Sequence, residues 1–229
     1  MRVEAAFDSI ASEWNSYRAA PSLVLQLFLP LLPKKSGLVV LDAGCGNGRN
    51  SIELARLQTV KRVIAVDVSV RMLFFARKRV KAVGLTKKIK FFKADFAKRL
   101  PLRAESVDAA FYLASLHHLR AVEQNRAFNE MRRVVKPNGF VFISVWNKAQ
   151  RKFWRRREKQ FFVPWTKRGG ECVKRFHYFF GKRELEKLGA AHGFEVVDSF
   201  FESHGARAPE KEARNLCVVF RKRRFNTRE

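Results

Sequence analysis

Three glycines at alternate positions, Gly44, Gly46 and Gly48, follow Asp42 at the end of the apolar run Leu38 to Leu41. An acidic strand tip, a glycine turn and a helix beginning almost at once (Ser51 to Leu57) predict a nucleotide cradle at the carboxyl edge of a doubly wound sheet. The glycines let the chain turn tightly and let a ligand approach where a Cβ would collide. The spacing is G-x-G-x-G, whereas the pyrophosphate fingerprint is G-x-G-x-x-G. Asp42, pointed at such a pocket, repels a pyrophosphate and suits a ligand with a cationic end and no phosphate. S-adenosylmethionine, with its ammonium and sulfonium groups, has that chemistry. Taken alone, the stretch also reads as a tight turn and nothing more.

Two further acids stand at strand tips. Asp67 closes the run Arg62 to Asp67, nineteen residues past Gly48, near the ~20 expected of a carboxylate that binds ribose hydroxyls. A helix cap for the stretch starting at Ser69 is its competing role. Asp95 follows the strand Ile89 to Lys93 and has Phe96 behind it, an acid for the adenine amino group and a ring for the adenine face. Three acids in register at neighbouring strand ends are more specific than any one. The expected cofactor contacts are Asp42, Gly44, Cys45, Gly46 and Asn47 from the first turn, Asp67 and Val68 from the second. Asp95, Phe96 and Leu113 complete the set.

The elements that must position these residues follow from hydrophobic period. Residues 4 to 18 carry Phe7, Ile10, Ala11 and Trp14 on one helical face and end at Tyr17-Arg18, bringing a cation to the pocket. A second apolar helix is predicted over Ser22 to Leu32. Later helices are predicted over Val70 to Val83, Glu123 to Val135 and Lys182 to His192. Strands are predicted over Val107 to Leu113, Phe140 to Trp146, Phe194 to Glu202 and Asn215 to Arg221, with a turn at Lys136 to Gly139. The expected fold is α/β, a doubly wound, seven-stranded, mostly parallel sheet with helices on both faces and the last strand antiparallel. One domain over 1–229 is expected, with residues 1–33 over the pocket, a basic aromatic substrate-binding insertion at 147–178 and a basic tail at 222–229.

Charge narrows the partners. Forty-seven Lys and Arg against 21 Asp and Glu give a formal charge of +26, which predicts a polyanionic partner through counterion release. A basic surface suited to a hot or salty habitat is the alternative. Between Asn147 and Arg175 the periodicity lapses. Lys and Arg outnumber Glu158 and Glu171 there, interleaved with Phe153, Trp154, Phe161, Phe162 and Trp165. Cys45, Cys172 and Cys217 lack disulfide or zinc spacing, and no metal is predicted. The amino terminus lacks signal-peptide order, and the run Pro21 to Leu32 is too short to cross a bilayer. A soluble, cytoplasmic protein is expected.

Over residues 1 to 221 the chain resembles the class I S-adenosylmethionine-dependent methyltransferases. The motif positions are Leu41 to Gly48, Val66-Asp67, Ala94-Asp95 and Val135-Lys136-Pro137-Asn138-Gly139. A narrower resemblance is to the tRNA wobble-uridine methyltransferases, which esterify 5-carboxymethyluridine at anticodon position 34. It rests on Ile10-Ala11 with Arg18, on Leu116-His117-His118, on Trp146, on Phe162-Val163-Pro164-Trp165, on Arg175 to Phe180 and on Asn215 to Val219. Here the insertion is shorter than in eukaryotic members, and His177-Tyr178 reverses their usual Tyr-His order.

The resemblance implies S-adenosyl-L-methionine as cofactor, a tRNA anticodon stem-loop as substrate, and a small zinc-binding activator protein docking near strand 89–93. It implies Arg18, His118 and Arg175 as catalytic residues, Arg18 holding either the substrate or the methionine carboxylate of the cofactor, with Trp146, Trp165, His177, Tyr178 and Asn215 binding substrate. A carboxylate is already ionised at neutral pH, so positioning cations and rings are expected rather than a general base. Two other readings stay open: a methyltransferase for a small apolar molecule of quinone-precursor type, and a non-catalytic RNA-binding subunit.

Overall fold

The computed structural model describes residues 2–153 and 155–224. Trp154 and the tail residues 225–229 lie outside the described residues. The chain opens with α1 (Val3–Tyr17) and α2 (Leu23–Phe28), then runs β1 (Leu38–Ala43), α3 (Arg49–Arg56), β2 (Val60–Asp67), α4 (Val70–Ala82) and β3 (Ile89–Lys93). It continues through β4 (Val107–Leu113), α5 (Ala121–Val134), β5 (Val135–Trp146), β6 (Gln160–Thr166) and β7 (Cys172–Tyr178). The last elements are α6 (Lys182–Ala191), β8 (Phe194–Ser203), β9 (Ala206–Arg207) and β10 (Asn215–Lys222).

The main sheet has the order β3-β2-β1-β4-β5-β10-β8-β9. The first five of these strands are parallel, and β10 runs antiparallel to both β5 and β8. It is the expected doubly wound sheet, the seven predicted strands plus the two-residue β9. The direction of winding reverses between β1 and β4, which opens a crevice at their carboxyl ends, where open α/β sheets bind ligands. Because helices cover both faces, every residue of β4 is buried. Side chains alternate between two core layers: Leu41, Ala43, Tyr112 and Phe128 on one face, Leu38, Val40, Phe28, Phe111 and Phe142 on the other. Phe111 stacks on Phe142 with centroids 4.6 Å apart.

At the amino edge, buried Asp108 ties three segments together. It accepts from Lys35 Nζ (2.8 Å), Val39 N (2.9 Å) and Lys136 Nζ (2.9 Å). Burial pushes its carboxyl up, but these donors outweigh that and hold it below the usual carboxylate range.

Four expectations are corrected. Pro30 turns the end of the second helix into a 3-10 turn, Leu29–Leu31, because it cannot donate to an α-helical ladder. The predicted turn at Lys136 to Gly139 lies inside β5, as an irregular entry where Asn138 takes φ 59°. The aperiodic insertion contains a hairpin: β6 and β7 pair antiparallel as a separate sheet. Within the predicted tail, Lys222 belongs to β10 and its ammonium donates to the Val135 carbonyl and to Glu105. Among the described residues no helix is long and apolar enough to cross a membrane.

Candidate active site

The glycine turn is strapped to the tip of β2. The Val66 carbonyl accepts from Gly44 N (2.8 Å) and Cys45 N (3.0 Å), and Gly46 N donates to Asp67 Oδ2 at 2.8 Å. Ser69 N donates to the other Asp67 oxygen at 2.8 Å, while the Ser69 hydroxyl accepts from Met72 N. Ser69 is therefore the helix cap, and Asp67 holds the turn. Gly44 and Gly46 take φ +77° and +54°, a region open to glycine. A Cβ on Gly44 would stand 2.5 Å from Ser115 Cβ and 3.5 Å from the Phe96 ring, so the ends of β1, β3 and β4 meet at one point.

Two of the three predicted acids form the crevice floor. Asp42 accepts from Ser51 Oγ at 2.5 Å. Burial, with the charge of Asp67 beside it, pushes its carboxyl up to about 6. Asp67 rises to about 6 through burial, against its backbone donors from Ser69 and Gly46. Asp95 sits at the half-exposed rim, accepting from Ala97 N at 2.9 Å. Buried, pushed toward neutrality and lying beside a turn that has no room for a Cβ at Gly44, Asp42 and Asp67 fit a ligand bearing an ammonium group and ribose hydroxyls. Cys45 and Leu113 are buried beside them and Val68 is half-buried.

Asn47 has a different part. Its amide donates to Asn15 Oδ1 (3.2 Å) and the Arg18 carbonyl (2.9 Å), clasping the end of α1. Arg49 donates to the Ala20 carbonyl and Arg79 to Asn15. This clasp, rather than helical period, sets where Arg18 stands.

Helix α1 and the hairpin roof the crevice. Phe7 meets Trp14 and His118 edge-on, with centroids at 5.8 and 5.0 Å. Glu13 accepts from Trp165 Nε1 (3.2 Å) and Arg168 N (2.9 Å), pinning the hairpin to α1. Arg175 is 4% exposed, and its guanidinium lies 5.9, 5.8 and 5.3 Å from the rings of Trp14, Trp146 and Trp165. Arg18 stands over the same Trp14 ring at 5.5 Å. Burial, then the charge of Arg18, draws Arg175 down to about 10.

Beneath them His117, His118 and His177 bring their ring nitrogens within 4.8 Å of one another. His177 stacks on Trp146 at 4.7 Å. Burial pushes all three below the ordinary histidine value, His118 to about 4. The imidazoles are neutral at physiological pH and do not act as cations.

Arg18, His118, Trp146, Trp165, Arg175 and His177 thus converge. Tyr178 does not: one residue along β7, it faces away from His177, packs on Phe180 at 4.8 Å and donates its hydroxyl to Glu184. Asn215 is paired with Trp146 across β10 and β5, but its amide is spent on Glu202 at 2.6 Å. Sequence reading passed over Glu13 and Lys152. Lys152 Nζ sits 4.2 Å above the Trp146 ring, and only its place in a Lys-aromatic run signalled it. Two cavities of about 610 and 520 Å³ open at the opposite edge of the sheet, near Asn138, Arg223 and Arg133.

Comparison with known proteins bears on this crevice. A methyltransferase-domain family profile matches residues 40–139. The tRNA (carboxymethyluridine(34)-5-O)-methyltransferase of Arabidopsis thaliana is 38% identical over 149 residues, 65% of this chain and 33% of that protein. A malonyl-[acyl-carrier protein] O-methyltransferase of Marinomonas sp. is 35% identical over 139 residues, 61% of this chain and 49% of its own length. The chain therefore spans a third to a half of these two relatives. A putative methyltransferase of Encephalitozoon cuniculi is 32% identical over 167 residues, 70% of this chain and 71% of that one.

The fold matches the complex between the Haloferax volcanii Trm112 methyltransferase activator and a putative methyltransferase. The TM-score is 0.72 at 17% identity, over 99% of this chain and 100% of that one. Acids at the tips of β1 and β2, a glycine turn between them and a relative matched over most of both lengths agree, and the chain belongs to the class I S-adenosylmethionine-dependent methyltransferases.

Proposed function

We propose that this methyltransferase acts on tRNA in the cytoplasm, esterifying the carboxylate of 5-carboxymethyluridine at wobble position 34. The observation that carries the reading is Arg175, buried among three indoles beside Arg18 and above the cofactor cradle. A planar fork surrounded by ring faces suits an anionic group on a flat base. The +26 charge and the similarity to the Arabidopsis enzyme support it further.

When bound, S-adenosylmethionine supplies a methyl group on a sulfonium that departs as a neutral thioether. The substrate carboxylate needs no deprotonation at neutral pH. The chain's work is therefore alignment and water exclusion. Arg18 and Arg175 hold the spare carboxylate oxygen or an adjacent phosphate, leaving the reacting oxygen loosely held and nucleophilic. Trp146 and Trp165 offer ring faces to the flipped base. Asp42 and Asp67 would hold the cofactor's ammonium group and ribose, and Phe96 would cover its adenine.

A small zinc-binding activator adds at β3, an edge of the sheet. There Arg77 donates to the Phe91 carbonyl at 3.1 Å, and an added strand must displace it. Full activity of the isolated monomer would remove this partner.

The test of the reaction is transfer of labelled methyl from S-adenosylmethionine to total tRNA, followed by mild alkali. Release of the label as methanol is expected of an ester. Label retained on the RNA would mean base or ribose methylation and end the proposal.

A further inference from the structure

Arg175 and His177 are two residues apart on β7 and face the same way. Each carries a buried polar atom with no hydrogen-bond partner, Arg175 Nε and His177 Nε2. Unpaired buried groups are costly, and two side by side point to a ligand that satisfies both.

Their polarities are opposite. His177 Nδ1 lies 3.0 Å from the Arg175 carbonyl, which can only accept, so Nδ1 carries the ring proton and Nε2 presents a lone pair. Burial, with His118 and Arg175 close by, keeps the ring neutral. Arg175 Nε–H can only donate.

This pairing discriminates between ligands. A carboxylate or phosphate satisfies Arg175 but sets its oxygen against the His177 lone pair. A divalent cation satisfies the histidines but not Arg175. It would also face Arg175 across all three rings and Lys152 near His177, and the Trp146 backbone N–H already donates to His117 Nδ1 at 3.3 Å. A group with a donor next to an acceptor satisfies both. The imide edge of uracil is such a group, with N3–H between two carbonyls. Cytosine also has a donor, its amino group, next to an acceptor, N3, but in shifted order, so a base anchored by its 5-carboxymethyl group sets a bare N3 against the His177 lone pair.

We propose that His177 Nε2 accepts from uracil N3–H while Arg175 Nε donates to the neighbouring carbonyl, so that this pair selects uridine against cytidine at the methylated nucleotide. The inference rests on the RNA reading above. It assigns Arg175 Nε and His177 Nε2 to the base and leaves the Arg175 Nη groups, with Arg18, to the carboxylate. The ring faces of Trp146 and Trp165 flank the base.

The test compares anticodon stem-loops carrying 5-carboxymethyluridine, its N3-methyl derivative or 5-carboxymethylcytidine at position 34. A site built to pair a polar edge rejects analogues that leave it unpaired. kcat/KM is expected to fall about 10- to 100-fold for both analogues, the size of a lost buried pairing. His177→Gln, which keeps an acceptor, is expected to retain most of the discrimination, and His177→Leu to lose it. Equal turnover of the N3-methyl substrate by the unaltered enzyme overturns the inference and leaves the tRNA reading intact. No turnover of 5-carboxymethyluridine itself removes both. Stoichiometric metal in the purified protein also overturns it, since the lone pairs would then be ligands.

Discussion

Asp42 gives the residue scale its sharpest consequence. Its carboxyl is raised from an ordinary 3.8 to about 6, chiefly by burial. Between those values the folded protein holds a proton that the unfolded chain has lost. The contribution to stability therefore falls as pH rises from 4 to 6, and the full cost remains above 6. Every pH unit separating the folded from the unfolded value is worth about 1.4 kcal/mol. Asp42→Asn keeps an acceptor for Ser51 and removes the charge. It should stabilise the cofactor-free protein by about 3 kcal/mol at pH 7.5, with the gain vanishing toward pH 4 in thermal melts. The same variant should bind S-adenosylmethionine at least tenfold more weakly in calorimetry. In the unaltered protein, cofactor affinity should rise with pH through 6, with protons released on binding. A variant less stable at pH 7.5 would mean that the ionised acid is compensated, and this account of the cradle would fail.

At the scale of elements, the cradle turn makes two neighbouring glycines unequal. A Cβ on Gly44 meets Ser115 Cβ at 2.5 Å, with φ +77° besides, whereas at Gly46 the nearest atom is Trp14 Nε1 at 3.9 Å. Gly44→Ala should cost about 2–4 kcal/mol, overpacking added to backbone strain. Gly46→Ala should cost about 1 kcal/mol, the left-handed penalty alone. Equal losses in denaturant melts would show that the ends of β1 and β4 do not meet as described. This turn was legible in sequence because its strand is an apolar run and its glycines are regularly spaced. The hairpin was not, although β7 alternates strictly: Val173, Arg175 and His177 are buried, Cys172 and Lys174 exposed. Two of its three inward residues are polar, so hydropathy cannot register the period. The same blindness hid Gly189, where a Cβ would sit 2.2 Å from the Phe220 ring and which therefore sets how closely α6 approaches β10. Among the candidate site residues, the places of Asp42, Asp67 and Phe96 at strand ends were legible in sequence. The roles of Asn47, Tyr178 and Asn215 depended on partners far along the chain.

For the molecule as a whole the question is whether a charge of +26 is a general coat or a directed field. Binding to RNA releases about 0.7 to 0.9 counterions per phosphate neutralised, and this fixes the slope of log affinity against log salt. Arg157 and Lys174, exposed in and beside the hairpin, stand on the crevice side. Lys61 and Arg62, exposed near the start of β2, stand toward the opposite edge of the sheet. Replacing either pair by glutamine lowers the net charge equally. If RNA lies across the hairpin, Arg157→Gln with Lys174→Gln should reduce the slope by about 1.4–1.8, whereas Lys61→Gln with Arg62→Gln should leave it nearly unchanged. Cofactor affinity should be unaffected in both, since neither pair touches the cradle. Equal reductions from the two pairs would identify the charge as a surface-wide property, as a hot or salty habitat would favour. The buried arginine would then need some means other than long-range attraction to bring its substrate in.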